Sequence, residues 1–465
     1  MLFSSITFIY FFLPLVFLLY FAAPRRWKNG VLLASSLFFY FAGEPRYTLL
    51  LIVSSLAGYL HGLLIEKYRG TKIAKSALIS ALIINLVILG FFKYFDFFIT
   101  SLNTMLGMNM AILRLALPIG ISFYTFQTMS YLIDLYNGKV AAQRNLITFS
   151  TYVALFPQLV AGPIVRYTTV AHELEKRTHT FESFASGVKR FAIGLGKKVL
   201  IANTLGELAV LAAETSEPSM LFYWLGAIAF ALQIYFDFSG YSDMAIGLGR
   251  CFGFNFLENF NFPYISRSIS EFWRRWHISL GSWFREFVYI PLGGNRVSKL
   301  KWVRNIFIVW CLTGFWHGAS WNFVIWGLCF GAILMLEKAF ISKFMEKIPR
   351  AFSHIYVLFL ILISFVIFNA ENMSTAINYL KGMFLGLPAI NAISLYYLKS
   401  YAVIILAAAF LATPVIKNLL AKAVIRPNIA KTMMVIEPAF YVAIILLVTG
   451  YLLDSSFNPF LYFRF

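Results

Sequence analysis

The sequence predicts an all-α, polytopic membrane protein, and three observations do so. Apolar runs recur from one end of the chain to the other; the composition is 60% hydrophobic and only 13% charged, with a mean hydropathy of +0.75; and basic residues gather in short clusters between the runs. Runs at 5–23, 48–65, 78–92, 220–236, 352–368, 401–416 and 434–453 each have the length to cross a hydrocarbon core as a helix. With shorter segments between them, about ten spans are expected.

The formal charge of +19 does not indicate nucleic acid, because membrane proteins concentrate basic residues in cytoplasmic loops and beside anionic headgroups. The first run has no basic residue before it and is followed by Arg25, Arg26 and Lys28. That is the reverse of a cleavable signal peptide, so a retained first helix with its N-terminus outside is expected. Two short apolar segments separate this cluster from Lys67, Arg69, Lys72 and Lys75, placing both clusters on the cytoplasmic side. Lys417, Lys422, Arg426 and Lys431 form a third such loop, so the last span should deliver residues 454–465 to the outside as a short tail. One membrane domain, 1–453, is expected ahead of it, with no low-complexity linker and no internal repeat of the transporter kind.

Two polar interruptions, 165–198 and 266–304, are too charged for lipid and too aromatic for ordinary solvated loops. The second holds eight basic residues against Glu271 and Glu286, which favours the cytoplasmic side and short helices tucked against the bundle, with Glu271 and Arg275 spaced for an i,i+4 pair. The stretch "YFDFSGYSDMAIG" at 235–247 reads as broken backbone at membrane depth, since its two carboxylates, two serines and two glycines would be costly against lipid.

Hydrolase, zinc-peptidase, P-loop and dinucleotide motifs are all missing, and Cys251, Cys311 and Cys329 lack CxxC spacing, so they read as packing residues with no metal site. Of six histidines, His172 and His179 fall in a charged segment and read as solvated. His61 and His354 read as hydrogen-bonded or interfacial. His317 differs: it lies inside "LTGFWHGASWNFVIW" at 312–326, about twelve residues past Arg304, which at the helical rise puts it near the midplane. Gly314, Gly318, Ala319 and Ser320 would leave room beside it, while Trp316 and Trp321 would supply flat walls. Burial favours the neutral ring, which suits a general base. His277, in "SEFWRRWHISLGSWFREF" at 270–287, is open between an incidental interfacial residue and a functional one.

Four segments in order, "FPQLVAGPIVRY" at 156–167, "YFDFSGYSDMAIGLG" at 235–249, "NFNFPYISRSISEFWRRWHISLGSWFREFVYIPLGGNR" at 259–296 and "GFWHGASWNFVIWG" at 314–327, resemble the membrane-bound O-acyltransferases. The likeness is to the bacterial branch with alginate O-acetyltransferase, peptidoglycan O-acetyltransferases and the teichoic-acid D-alanyl transfer protein. It spans nearly the whole chain and is densest from 156 to 327. It implies a ring of tilted helices around a thin centre, with a cytoplasmic opening for an acyl thioester and an outer one for the acceptor. It also implies that His317 matches the essential embedded histidine and His277 the second polar position, orienting the donor or polarising its carbonyl.

On this reading a short acyl group, acetyl, passes from acetyl-CoA or an acyl carrier protein to an outer hydroxyl, for O-acetylation of a cell-surface polysaccharide. No tightly bound cofactor is expected. Arg274, Arg275 and Arg285 stand for phosphate binding beside Trp273, although positive-inside topology alone also places arginines here. Asp237, Ser239, Tyr241 and Asp243 stand for the tunnel lining, with helix-break hydrogen bonding the competing role. The tail "NPFLYFRF" at 458–465 resembles the Phe-x-Tyr-x-x-Phe ending of this family, with Tyr462 as an acyl relay. An extracytoplasmic SGNH-type partner is expected, and the setting is the cell membrane with both termini outside. A lipid-modifying acyltransferase and a glycan or lipid transporter are the competing classes.

Overall fold

The computed structural model describes residues 1–345, 347–454, 457–459 and 461. Tyr462 therefore lies outside the described residues. Every regular element among those described is helical, as the period and length of the apolar runs require. The helices that matter are α1 (Leu13–Ala22), α2 (Lys28–Phe41), α3 (Pro45–Lys67), α4 (Lys72–Leu106), α5 (Ile121–Tyr136), α6 (Leu146–Ala154), α7 (Tyr167–Glu175), α8 (Phe181–Gly196), α9 (Thr204–Glu214), α10 (Met220–Cys251), α11 (Ile269–Arg275), α12 (Ile278–Phe284), α13 (Lys299–His317), α14 (Trp321–Leu336), α15 (Arg350–Asn369), α16 (Met373–Phe384), α17 (Ala392–Leu411), α18 (Val415–Val424) and α19 (Pro427–Asp454).

Among the described residues seven helices are long and apolar enough to cross a membrane: α3, α4, α10, the helix from Trp321 to Ile341, α15, α17 and α19. The first apolar run folds as Phe8–Ala22, which is shorter. The run at 401–416 is cut, because α17 ends at Leu411 and the chain turns at Thr413 and Pro414 before α18. In α10, 78% of the most apolar window is buried, against 6% in α19. One is a core helix and the other leaves its surface for lipid.

The chain forms two compact units, one of residues 1–191 with 242–257 and the other of 192–241 with 258–465. The chain passes from one unit to the other within α8, within α10 and again at 257–258 after α10, so two of the three crossings fall inside continuous helices. In the first unit Phe3, Phe8, Phe12, Phe39 and Phe156 form an aromatic cluster with centroids 4.7–6.2 Å apart. Its polar interior is ion-paired, with buried Asp134 2.7 Å from Arg166 and 3.0 Å from Lys139. In the second unit the core runs from α9 and α10 through Phe272, Trp276, Trp326 and Phe368, and Leu461 belongs to it.

The stretch 235–247 is not broken: α10 is continuous from Met220 to Cys251. Its glycines serve close approach. A Cβ on Gly247 would lie 2.6 Å from the Gly187 carbonyl, and one on Gly240 2.7 Å from that of Gly194. Its carboxylates are matched by cations, Asp237 by Lys198 at 2.7 Å and Asp243 by Arg190 at 2.7 Å. The polarity that reads as a helix break is polarity that neighbouring helices satisfy.

Candidate active site

His277 sits where α11 ends and α12 begins. Its φ is +44°, in the left-handed region that a side chain with a Cβ rarely adopts. Asn259 holds it there: its Oδ1 accepts from the Ser279 amide at 3.2 Å, from Ser279 Oγ at 2.9 Å and from His277 Nδ1 at 3.2 Å. The Asn259 carbonyl accepts from the Ile278 amide at 2.9 Å. A backbone N–H can only donate, so the Ser279 amide fixes which end of the Asn259 side chain is oxygen, and His277 must carry its proton on Nδ1. Nε2 is then the acceptor nitrogen. Burial pushes this imidazole down to about 3, so the neutral tautomer persists at physiological pH. A ring in this state takes a hydrogen bond through Nε2 and gives none there.

The start of α11 is held by Glu337, just past α14, whose carboxylate accepts from the Ile269 amide at 2.7 Å, the Ser270 amide at 2.9 Å and Ser270 Oγ at 2.8 Å. A buried carboxylate on the first N–H groups of a helix satisfies them and meets the favourable end of the dipole. Arg275 is spent on Glu271, 2.9 Å away in the i,i+4 pair, and on the Asn261 carbonyl.

His317 is the last residue of α13, not a mid-helix residue; the chain turns at 318–320 and returns as α14. The two helices meet with almost no side chain between them, since a Cβ on Gly314 would run into the Phe323 carbonyl and one on Gly327 into that of Trp310. The glycines that the sequence suggests as a pocket floor are therefore a packed seam, and Gly318 is filled by the Phe323 ring. The seam fixes where the imidazole points. Its ring is 4.9 Å from Trp316, 5.2 Å from Trp326 and 5.2 Å from Phe368, all edge-on.

Both imidazoles line one cavity of about 430 Å³, with Trp273, Trp276, Trp310, Gly281, Ser282 and Thr313, a size within the usual range for small-molecule sites. Arg274 and Arg285 also line it and are exposed, and neither makes an ion pair among the described residues. Trp316 is buried behind the wall, its ring 5.5 Å from His277 as well as close to His317. Phe238 of α10 packs edge-on against His277 at 4.7 Å.

The cavity thus gathers His277, His317, Trp273, Arg274 and Arg285. Others singled out by sequence lie elsewhere: Arg275 is paired as above, Trp321 is 54% exposed at the start of α14, and Ser239 and Tyr241 are buried on α10 outside the lining. Asp237 meets Lys198, and Asp243 takes Arg190 through Nε at 3.0 Å and Nη2 at 2.7 Å. Asn259, Glu337 and Lys198 are the residues that sequence did not single out. Their partners are 18, 68 and 261 positions away, so only a charge or amide inside an apolar or aromatic stretch signals them.

His61 is hydrogen-bonded to the Ala57 carbonyl at 2.7 Å and Ser80 Oγ at 3.1 Å, and His354 to the Ser266 carbonyl at 3.2 Å, as expected of structural histidines. The cysteines are free, and no cluster of three metal-ligating side chains occurs among the described residues.

Residues 139–377 match the family model described as MBOAT, membrane-bound O-acyltransferase family. The chain is 43% identical over 389 residues to the "Probable alginate O-acetylase AlgI" of Azotobacter vinelandii, covering 83% of this chain and 78% of that one. It is 36% identical over 438 residues to the peptidoglycan O-acetyltransferase of Helicobacter pylori, covering 86% and 82%. To the teichoic acid D-alanyltransferase of Bacillus subtilis it is 31% identical over 245 residues, covering 49% and 60%. The matched segment contains the whole cavity.

Proposed function

The chain belongs to the membrane-bound O-acyltransferase family, and from that premise we propose that it moves an acetyl group from a cytoplasmic thioester to an extracytoplasmic hydroxyl, for O-acetylation of a cell-surface polysaccharide. The relatives' names supply the substrate class: alginate and peptidoglycan O-acetylation, and D-alanylation of teichoic acid. The observation that carries the reading is one cavity, inside the matched segment, presenting two imidazoles and two guanidinium groups that make no ion pair among the described residues.

In the proposed reaction the acceptor oxygen attacks the thioester carbonyl carbon while His317 takes the hydroxyl proton. The tetrahedral intermediate collapses with cleavage of the C–S bond, and the departing thiolate takes the proton from the imidazolium. His277 accepts a hydrogen bond from the donor through Nε2 and sets its orientation. Arg274 and Arg285 meet the phosphates of coenzyme A or of a carrier protein's phosphopantetheine arm. The setting is the cell membrane with both termini outside.

Tyr462 is the proposed intermediate acceptor. Its hydroxyl takes the acetyl group with loss of the proton to His317, and the activated aryl ester passes the group on. A separate SGNH-type protein then completes delivery to the polymer. A phenol is a weak nucleophile at neutral pH and needs such a base. The support is local: residues 457–459 and 461 are drawn into the second unit, with Leu461 in its core.

The test supplies the purified chain in lipid with labelled acetyl-CoA or acetyl carrier protein and a soluble hydroxyl acceptor. Label should reach the acceptor from the chain carrying His317 and not from His317→Ala. An acetyl-Tyr462 peptide should accumulate when the acceptor is withheld. Tyr462→Phe, which deletes one oxygen, should stop transfer, and normal transfer in that variant removes the relay.

A further inference from the structure

Lys198 and Asp237 are each 2% exposed, with Nζ 2.7 Å from Oδ1, and neither lines the cavity of the two histidines. Burying such a pair is costly, and the cost is offset only when the remaining protons and lone pairs find partners. Here many of the partners come from the segment that follows α19. Lys198 Nζ donates to the Pro459 carbonyl and, at 2.9 Å, to Asn203 Oδ1. Asp237 Oδ2 accepts from the Leu461 amide at 3.0 Å. Asn203 Nδ2 donates to Asn458 Oδ1 at 3.2 Å. Lys198 and Asn203 share the π-helical stretch Lys197–Asn203, whose wider turn brings i and i+5 side by side.

We propose that the Lys198–Asp237 pair is a main-chain clamp that holds the backbone at Pro459 and Leu461 in one register. The cation takes a carbonyl and the carboxylate an amide two residues further on. Both contacted groups are backbone, so the pair reads the course of the chain and not its side chains, while Leu461 anchors the apolar side. The arrangement separates this role from helix packing alone. A buried pair that only joins helices can be replaced by two apolar residues of similar volume at little cost, whereas a clamp so replaced releases what it holds. The link to catalysis rests on the Tyr462 relay: a relay has to be delivered in register, which makes Lys198 and Asp237 positioning residues for it.

Hydrogen–deuterium exchange of the full chain in lipid reads the clamp without reference to activity. In Lys198→Met combined with Asp237→Leu, protection of the Leu461 amide should fall by about a hundredfold while α13 and α14 keep theirs. Leu461→Pro removes the amide given to Asp237 and leaves the pair untouched, so it tests the same contact if the double variant folds poorly. With no N–H left at 461 to exchange, its release is read as chymotryptic cleavage after Phe457 at least tenfold faster than in Leu461→Ala, which loses the same side chain and keeps the N–H, roughly the worth of a charge-assisted hydrogen bond. Unchanged cleavage in Leu461→Pro, or unchanged Leu461 protection in a folded double variant, overturns the clamp. Lost protection with full acetyl transfer upholds the clamp and overturns the tyrosine relay instead.

Discussion

The two imidazoles of the cavity are held by opposite means. His277 is fixed by polarity: a left-handed backbone, three donors converging on Asn259 Oδ1, and a proton committed to Nδ1. His317 is fixed by shape, at a helix end aimed by a glycine seam and enclosed by ring edges. A ring whose tautomer is locked is suited to orienting a substrate. A ring set at the helix end by close packing faces the cavity, and the proposed division, base at His317 and orienter at His277, is drawn from that contrast.

The comparison breaks most sharply at His317. His317→Gln keeps a polar side chain of similar reach and loses the base, so transfer should drop by about 10³-fold, within the usual span for a general base, with unfolding unchanged. Asn259→Ala comes next. It strands the Ser279 amide and hydroxyl and frees His277 Nδ1, costing roughly 2–3 kcal/mol of stability along with a smaller loss of transfer. Thermal unfolding in detergent reads the first and the labelled assay the second. Gly314→Ala should cost about 1–3 kcal/mol by overpacking, because the atom it meets is backbone and cannot swing aside. Its loss of transfer should follow displacement of His317, seen as a shift in that imidazole's NMR resonances.

The smallest effect, about tenfold or less in transfer, is expected for His277→Gln, and its informative readout is pH. The folded-state value of His277 is depressed to about 3, below the ordinary unfolded value near ~6.5. Its contribution to stability is therefore complete above the unfolded value and is lost as pH falls from there toward the folded one, at up to about 1.4 kcal/mol per pH unit. Unfolding midpoints between pH 7 and pH 4 should be less acid-sensitive in His277→Gln than in the unaltered chain. Equal sensitivity would mean that His277 is not held neutral.

Much of this was legible in the sequence, for a physical reason: helix length and lipid compatibility are local properties, so the runs at 48–65 and 352–368 map onto α3 and α15. The pair Glu271 and Arg275 was equally legible, being spaced within one helix. Misreadings came where partners are remote. Asp237 and Asp243 look costly until Lys198 and Arg190 arrive from α8 and the π-helical stretch beyond it. Gly314 looks like open space until α14 folds back on α13. His317 could be found by its residue type in an apolar run, but the hairpin that aims it could not, since 312–326 reads as one uninterrupted span. Asn259 stands out only as part of a motif, because nothing local says that its side chain bonds a histidine 18 positions later.

The most direct test of the division of labour measures donor binding and single-turnover acetyl transfer side by side in His317→Ala and His277→Ala, in lipid. His317→Ala should bind the thioester as the unaltered chain does and transfer nothing measurable. His277→Ala should bind it more weakly yet recover most of its transfer rate at saturating donor. Transfer by His317→Ala within tenfold of the unaltered rate would contradict the assignment of the base.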